Sequence, residues 1–253
     1  MTGIHREIYG QGRPLVMLHG WAMHSGIWRD FARQLARQRH VICLDLPGHG
    51  RSANLDRFEL SAIASSLIDA IPLNRFSVLG WSLGATVALE MAARFPGRVQ
   101  SLLLLSGNPK FVKNIGWPGV RPEVLDGFVA QLNDDAKLTL QRFLGLQVQG
   151  LPDNRQLLQQ LRLAVQECDA PARDALQGGL QILKNSDLRQ SLVGLRCPVT
   201  VIQGDKDPLI PVQTGQSIKA LNSRVALHVL ANAGHVPFLS HAQQLCDIVA
   251  AAE

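Results

Sequence analysis

The five residues Gly80-Trp81-Ser82-Leu83-Gly84 constrain this chain more than any other stretch. They follow the short apolar run Phe76 to Leu79 (FSVL) and open a helical pattern from Leu83 to Phe95. A strand that passes at once into a helix must turn sharply at Ser82, and flanking glycines let the two elements approach closely. Such a turn lifts a serine hydroxyl clear of the backbone. It also sets the serine at a helix N-terminus, where backbone N–H groups can face a developing oxyanion. The bare pattern GxSxG reads equally well as an ordinary turn. The strand before it and the helix after it make Ser82 a candidate nucleophile.

The rest of the chain supplies the frame such a turn requires. Pro14 to His19, Val41 to Leu46, Phe76 to Leu79, Ser101 to Ser106, Val199 to Gln203 and Ala226 to Leu230 read as strands. Most are brief and continuously apolar, as strands covered on both sheet faces are. Trp28 to Gln38, Leu60 to Ala70, Leu83 to Phe95 and Ala242 to Ala251 read as helices between and after them. The alternation predicts an α/β fold with a mostly parallel sheet flanked by helices. From about Lys110 to Asp187 no strand pattern appears, only amphipathic helices broken by Pro118, Pro122, Pro152 and Pro171. One of them carries the apolar stripe Leu157, Leu158, Leu161 and Val165. The expected organisation is a core of residues 1–109 and 188–253 with a helical cap, residues 110–187, inserted in it.

A serine hydroxyl needs a base, and the base needs an acid to hold its tautomer. Among eight histidines, His5 near the terminus, His24 in a loop and His40 at a strand edge are accounted for by solvated roles. His228 alternates within a strand and reads as structural, and His241 opens a helix in a capping or surface role. His19 reads as loop packing. His235 lies in the loop Ala233-Gly234-His235-Val236-Pro237 beyond the last strand, at the sheet end where open parallel sheets form ligand sites. Gly204-Asp205-Lys206-Asp207 follows the strand Val199 to Gln203 and offers two acids. Asp207, further into the loop, can reach toward His235; Asp205, nearer the strand end, suits a turn and stays open as an alternative. The order Ser82, Asp207, His235 is the one this strand sequence produces. Oxyanion donors are expected from the N–H of Leu83, after the nucleophile, and of Trp21, after the bend at Gly20. The Trp21 side chain reads as a wall of the acyl pocket.

Composition excludes other classes. The formal charge is +5, but no five or six basic residues stand together, and Arg29, Arg33, Arg37 and Arg39 read as one solvated helix face. Nucleic-acid binding is not expected. The segment Asp45 to Ser52 (DLPGHGRS) is turn-rich but matches no phosphate-loop spacing and lacks the lysine. The start MTGIHREIYG has no apolar signal core, no later run is long enough to span a bilayer, and cytoplasmic localisation is expected. Cys43, Cys168, Cys197 and Cys246 lack metal-ligand spacing and read as buried, reduced thiols. Neither a metal nor an organic cofactor is expected.

With HGW, DLPGHGRS, GWSLG, GDKD and AGHVPF in this order, the chain resembles the α/β-hydrolase superfamily over its whole length. Through GWSLG, WPGVRPEVLDGF (Trp117 to Phe128), RFLGLQ (Arg142 to Gln147) and GGLQILKNSDLRQSL (Gly179 to Leu192), it resembles the pimeloyl-[acyl-carrier protein] methyl ester esterases of biotin synthesis. The resemblance implies a serine carboxylesterase that frees the pimeloyl carboxylate through an acyl-enzyme, with Ser82, Asp207 and His235 as triad. It implies substrate contacts from Trp21, Leu83, Phe143, Leu144, Gly145, Leu146, Gln147 and His235. It further implies that a basic cap surface docks the acidic carrier. Arg155 and Arg162, seven apart, share a helix face, and Lys137 and Arg142 lie on the preceding helix. Leu138 and Gln159 depart from arginines found in some family members, and the acids of the cap nearly balance its bases. The rival readings are a short-chain esterase or a C–C or lactone hydrolase of the same fold, and a non-enzymatic ligand-binding receptor or scaffold with a vestigial triad.

Overall fold

The structure is a computed structural model that describes residues 3–252. The chain runs β1 (Arg6–Tyr9), β2 (Arg13–Leu18), a 3-10 turn at Ser25–Trp28, α1 (Arg29–Leu35), β3 (Arg39–Leu44), α2 (Leu60–Ala70), β4 (Phe76–Trp81), α3 (Leu83–Arg94) and β5 (Val99–Leu105). Four helices follow without a strand: α4 (Pro122–Asp134), α5 (Ala136–Gln147), α6 (Asn154–Gln166) and α7 (Arg173–Asn185). The chain then completes the sheet with α8 (Arg189–Gly194), β6 (Val199–Gly204), α9 (Gln213–Leu221), β7 (Ala226–Leu230), α10 (Pro237–Ser240) and α11 (Ala242–Ala251).

Among the described residues the strands form one seven-stranded sheet in the order β1-β3-β2-β4-β5-β6-β7. Only β1 runs antiparallel to its neighbour. This edge strand is absent from the sequence reading because its residues, Arg-Glu-Ile-Tyr, form no apolar run. It satisfies the free edge of β3, pairing Ile8 with Ile42 and Glu7 with Cys43.

Strand side chains alternate between two cores, as the period of two demands. Val16, Leu18, Ile42, Leu44, Val78, Leu102, Leu104 and Val201 pack with α2, α3 and α8 residues such as Leu67, Leu89 and Leu192. Leu15, Met17, Val41, Cys43, Leu79, Leu103, Leu105 and Ile202 pack with α1 and α11 residues such as Phe31, Leu35 and Leu245. Each such side chain contributes roughly 1.5–3 kcal/mol of transfer free energy. Both faces are covered, so the strand ends are where the sheet meets other groups.

Two expectations change. Arg39 is not on a helix face: it starts β3, is buried, and its guanidinium donates to the Val249 carbonyl. Helix α1 ends at Leu35 because the chain must turn into β3 at once. Of the thiols, Cys43 is buried but Cys168, Cys197 and Cys246 are half-buried; all four are free. Among the described residues, no helix is long and apolar enough to cross a membrane.

Candidate active site

Strand β2 lies between β3 and β4, so the chain winds in opposite directions on its two sides. Open α/β sheets form their ligand sites at the carboxyl ends of strands near such a switch. Strands β2, β4, β6 and β7 end in the segments that carry the candidate residues.

Ser82 is the N-cap of α3, with φ +55° and ψ −117°, a conformation that costs a non-glycine residue about 1–3 kcal/mol. The turn holds because its surroundings leave no room to relax. The Ser82 N–H donates to the Leu105 carbonyl (3.1 Å), and the Ser82 carbonyl accepts from Ala85 N–H (2.9 Å). A Cβ on Gly84 would strike the carbonyls of Leu18 and His19, so the first turn of α3 rests directly on the end of β2. Leu83 begins the helix, and its N–H has no carbonyl four residues back within that helix.

The Gly20-Trp21 bend lies against the same point. A Cβ on Gly20 would be 3.2 Å from Ser82 Cβ and 3.1 Å from Trp81 Cε3. Met23 N–H donates to the Gly20 carbonyl (3.3 Å) around a tight turn in which Ala22 has φ +62°. His19 fixes the bend from behind: its Nε2 accepts from Leu46 N–H (2.9 Å), so Nδ1 carries the hydrogen and donates to the same Gly20 carbonyl (2.8 Å). The carbonyl of Gly20 is thus held on one side, and in a trans peptide the Trp21 N–H points the other way. Burial, reinforced by the neighbouring His49, lowers the pKa of His19 to about 3; burial lowers that of His49 to about 4.

His235 Nδ1 donates to Asp207 Oδ2 (2.8 Å), and both side chains are fully buried. Asp207 Oδ1 accepts from the N–H groups of Leu209 (2.8 Å) and Ile210 (3.0 Å). The carboxylate therefore has partners on both oxygens and leaves His235 Nε2 as the acceptor-competent nitrogen. That Nε2 is buried and has no hydrogen-bond partner among the described residues. Asp205 does something different: its exposed side chain accepts from Asn232 N–H (2.7 Å) and holds the turn after β7. Its distance from the imidazole is set by that turn, and the structure pairs His235 with Asp207 alone.

The residues implied as substrate contacts lie mostly together. Trp21 and Phe143 meet edge to face with centroids 4.8 Å apart, and a Cβ on Gly179 would lie 2.6 Å from Trp21 Cδ1 and 3.1 Å from Leu83 Cδ2. Gln147 accepts from His235 N–H through its backbone (3.3 Å), while its buried amide has no side-chain partner among the described residues. Leu144 is buried, Leu146 is half-buried, and Gly145 faces open space. Of the basic residues, Lys137 and Arg162 line a groove of 670 Å³ together with Arg173, Leu140, Leu144 and Leu176. Arg142 turns instead to Gln131 Oε1 (2.9 Å), and Arg155 is exposed outside that groove.

Sequence reasoning misjudged His24, which is buried rather than solvated: its Nε2 donates to the Ala164 carbonyl (2.6 Å) and ties α6 to the sheet. His241 stands at the N-cap of α11, but its side chain makes no capping bond: the ring reaches the Ala231 carbonyl (3.1 Å) and Ser240 Oγ (2.8 Å). Asn108, three residues beyond β5, is buried with its amide unpartnered among the described residues. A single asparagine in a loop carries no pattern that could have marked it. Among the described residues no group of three or more His, Cys, Asp or Glu side chains has an arrangement that could hold a metal ion. A strained serine at a helix N-terminus and, at the same end of the sheet, an imidazole held in one tautomer by a buried carboxylate are the elements that covalent acyl transfer requires.

The sequence profile of the alpha/beta hydrolase fold family matches residues 13–242. A pimeloyl-[acyl-carrier protein] methyl ester esterase of Methylococcus capsulatus is 40% identical over 251 residues, covering 98% of this chain and 97% of the relative. The protein of that name from Nitrosomonas europaea is 40% identical over 245 residues, covering 96% and 97%. Among solved structures, an esterase from Exiguobacterium antarcticum superposes with a TM-score of 0.88 at 23% identity, covering 99% of this chain and 95% of that one.

Proposed function

The chain belongs to the α/β-hydrolase family, among the pimeloyl-[acyl-carrier protein] methyl ester esterases, and from that membership we propose a serine carboxylesterase that hydrolyses the methyl ester of a carrier-bound pimeloyl chain. The observation that carries the chemistry is the buried Asp207–His235 pair on the sheet end that also holds the strained Ser82 turn. His235 Nε2 takes the Ser82 proton as Oγ attacks the ester carbonyl, and the N–H groups of Leu83 and Trp21 stabilise the oxyanion. Collapse of the tetrahedral intermediate breaks the C–O bond, and methanol leaves with the proton from His235. Water, deprotonated by the same nitrogen, attacks the acyl-enzyme and frees the carboxylate and Ser82. Every step uses this chain's own residues.

Residues 110–187 act as the cap that selects the acyl chain. Trp21, Leu83, Phe143 and Gly179 form its contact with the core, and Gln147 sits against the His235 backbone. Nine acids balance nine bases across the cap, so carrier docking rests on local charge. The groove between α5, α6 and the start of α7 has an apolar floor of Leu132, Leu140, Leu144, Val165 and Leu176, and Lys137, Arg162 and Arg173 against Asp134 alone. An acidic carrier delivering a long acyl chain matches both features. Residues such as Leu176, whose carbonyl accepts from Trp21 Nε1 (2.8 Å), connect this groove to the acyl wall. An enzyme acting on such a carrier works in the cytoplasm, which is the location we assign.

The deciding assay compares purified enzyme on carrier-bound pimeloyl methyl ester and on simple short-chain esters. Demethylation of the carrier-bound ester with the higher kcat/KM is expected. No demethylation of it removes this substrate while leaving ester hydrolysis standing.

A further inference from the structure

Trp81 precedes the candidate nucleophile, yet its side chain serves the base. Its indole Nε1–H donates to the backbone carbonyl of His235 (2.7 Å) across 154 residues of sequence. The indole is fully buried and packs edge to face against Phe238 (centroids 4.9 Å) and Trp28 (6.0 Å), and lies 5.8 Å from the His235 ring. Phe238 stands on α10, the helix that follows His235 directly. The backbone of Trp81 is equally fixed: it pairs with Leu105 at the end of β4 and leads straight into Ser82.

We propose that Trp81 is a positioning residue that sets the distance between nucleophile and base, one rigid side chain joining the Ser82 turn to the His235 loop. The proposal rests on the assignment of Ser82 and His235 given above. His235 has three ties: Nδ1 to Asp207 orients the ring, the backbone N–H reaches Gln147 at a long 3.3 Å, and the carbonyl receives the short bond from Trp81. Asp207 fixes which way the ring faces. It leaves the Ser82–His235 separation to whatever holds the His235 backbone. An indole is suited to that task because its N–H projects from a flat, inflexible frame with two rotatable bonds. A misplacement of about 1 Å between reacting groups costs about 100-fold in rate.

The test separates the N–H from the bulk. Trp81→Phe keeps an aromatic ring and loses the donor. Trp81→His loses bulk and keeps a donor, because imidazole Nε2–H occupies the same place in its five-membered ring as indole Nε1–H. Trp28→Phe is the control: it also removes a buried indole N–H, but one without a hydrogen-bond partner among the described residues. On a short p-nitrophenyl ester, Trp81→Phe is expected to lower kcat at least tenfold with KM within about twofold, and to slow fluorophosphonate labelling by the same factor. Trp81→His recovers part of both, and Trp28→Phe keeps both. A kcat for Trp81→Phe within twofold of the unsubstituted enzyme overturns the proposal, as does a Trp81→His variant slower than Trp81→Phe. If neither variant folds, exchange of the Trp81 indole N–H in the unsubstituted enzyme decides. Slow exchange before and after phosphonylation supports the proposal, and fast exchange in either state overturns it. Activity retained by Ser82→Ala would instead remove the underlying assignment.

Discussion

At the carboxyl ends of β4, β6 and β7, the candidate catalytic groups stand on one sheet whose central strands β4 and β6 are covered on both faces, and Asp207 is tied to His235 and to backbone N–H groups by short, buried bonds. Helices α4 to α7 pack Phe143, Leu176, Leu180 and Leu161 into the same apolar cores, and polar links add to that packing: Trp21 to the Leu176 carbonyl, His24 to the Ala164 carbonyl, and a bidentate Arg29–Glu167 pair (2.9 and 2.8 Å). Their outward faces are exposed and charged. A buried pair held on both carboxylate oxygens changes little with the ligand, whereas helices with exposed outer faces can be re-cut there without unfolding the sheet. The comparison teaches a division of labour. On the proposed function, the sheet ends determine which bond reacts, and the helices determine which molecule arrives.

The largest effect that can break this division lies at the acids. Asp207→Asn holds the imidazole in the wrong tautomer and should lower kcat about 10⁴-fold on every ester, short or carrier-bound. Asp205→Asn should stay within about threefold, because that carboxylate holds only the Asn232 turn. Steady-state kinetics of both variants settle which acid is wired to His235; a reversed order would contradict the pairing.

Acid stability sharpens the same contrast. His19 and His49 are buried beneath the Gly20-Trp21 bend with pKa values lowered to about 3 and about 4 by burial. Below the unfolded value near 6.5 the unfolded chain binds protons that the folded one refuses, so stability is full above that pH and is lost as pH falls toward 4. Each histidine should contribute a slope on the order of 1 kcal/mol per pH unit in that window. Denaturant unfolding between pH 7 and pH 4.5 measures it, and His49→Gln should flatten the curve. An unchanged slope would mean that the ring is not held neutral.

The smallest effect belongs to the helices. Lys137→Glu with Arg162→Glu should raise KM for the carrier-bound ester about tenfold and leave a short p-nitrophenyl ester unaffected. Equal losses on both substrates would place the groove within the chemistry instead of the selection.

How much of this was readable beforehand follows from what spacing encodes. The continuously apolar strands, the helix Leu60–Ala70 and the final helix Ala242–Ala251 announce themselves by period alone. The turn at Ser82 was legible because a strand, two glycines and a helix constrain it. The choice between Asp205 and Asp207 was not, since two residues of offset become a direct contact or a turn clamp only after β6 and β7 are paired. Burial of Arg39 and His24, and the bond from Trp81 to His235, are contacts across 140 or more residues. Nothing local distinguishes such side chains from solvated ones. Strand β1 escaped for the opposite reason: an edge needs backbone pairing more than apolar side chains.

The most direct measurement is mass spectrometry of the protein after reaction with a fluorophosphonate, with the modified peptide sequenced. One adduct on Ser82, absent from Ser82→Ala and formed far more slowly in Asp207→Asn, is the predicted result. An adduct on another residue, or none on the folded protein, would contradict the claim that this sheet end carries the reaction.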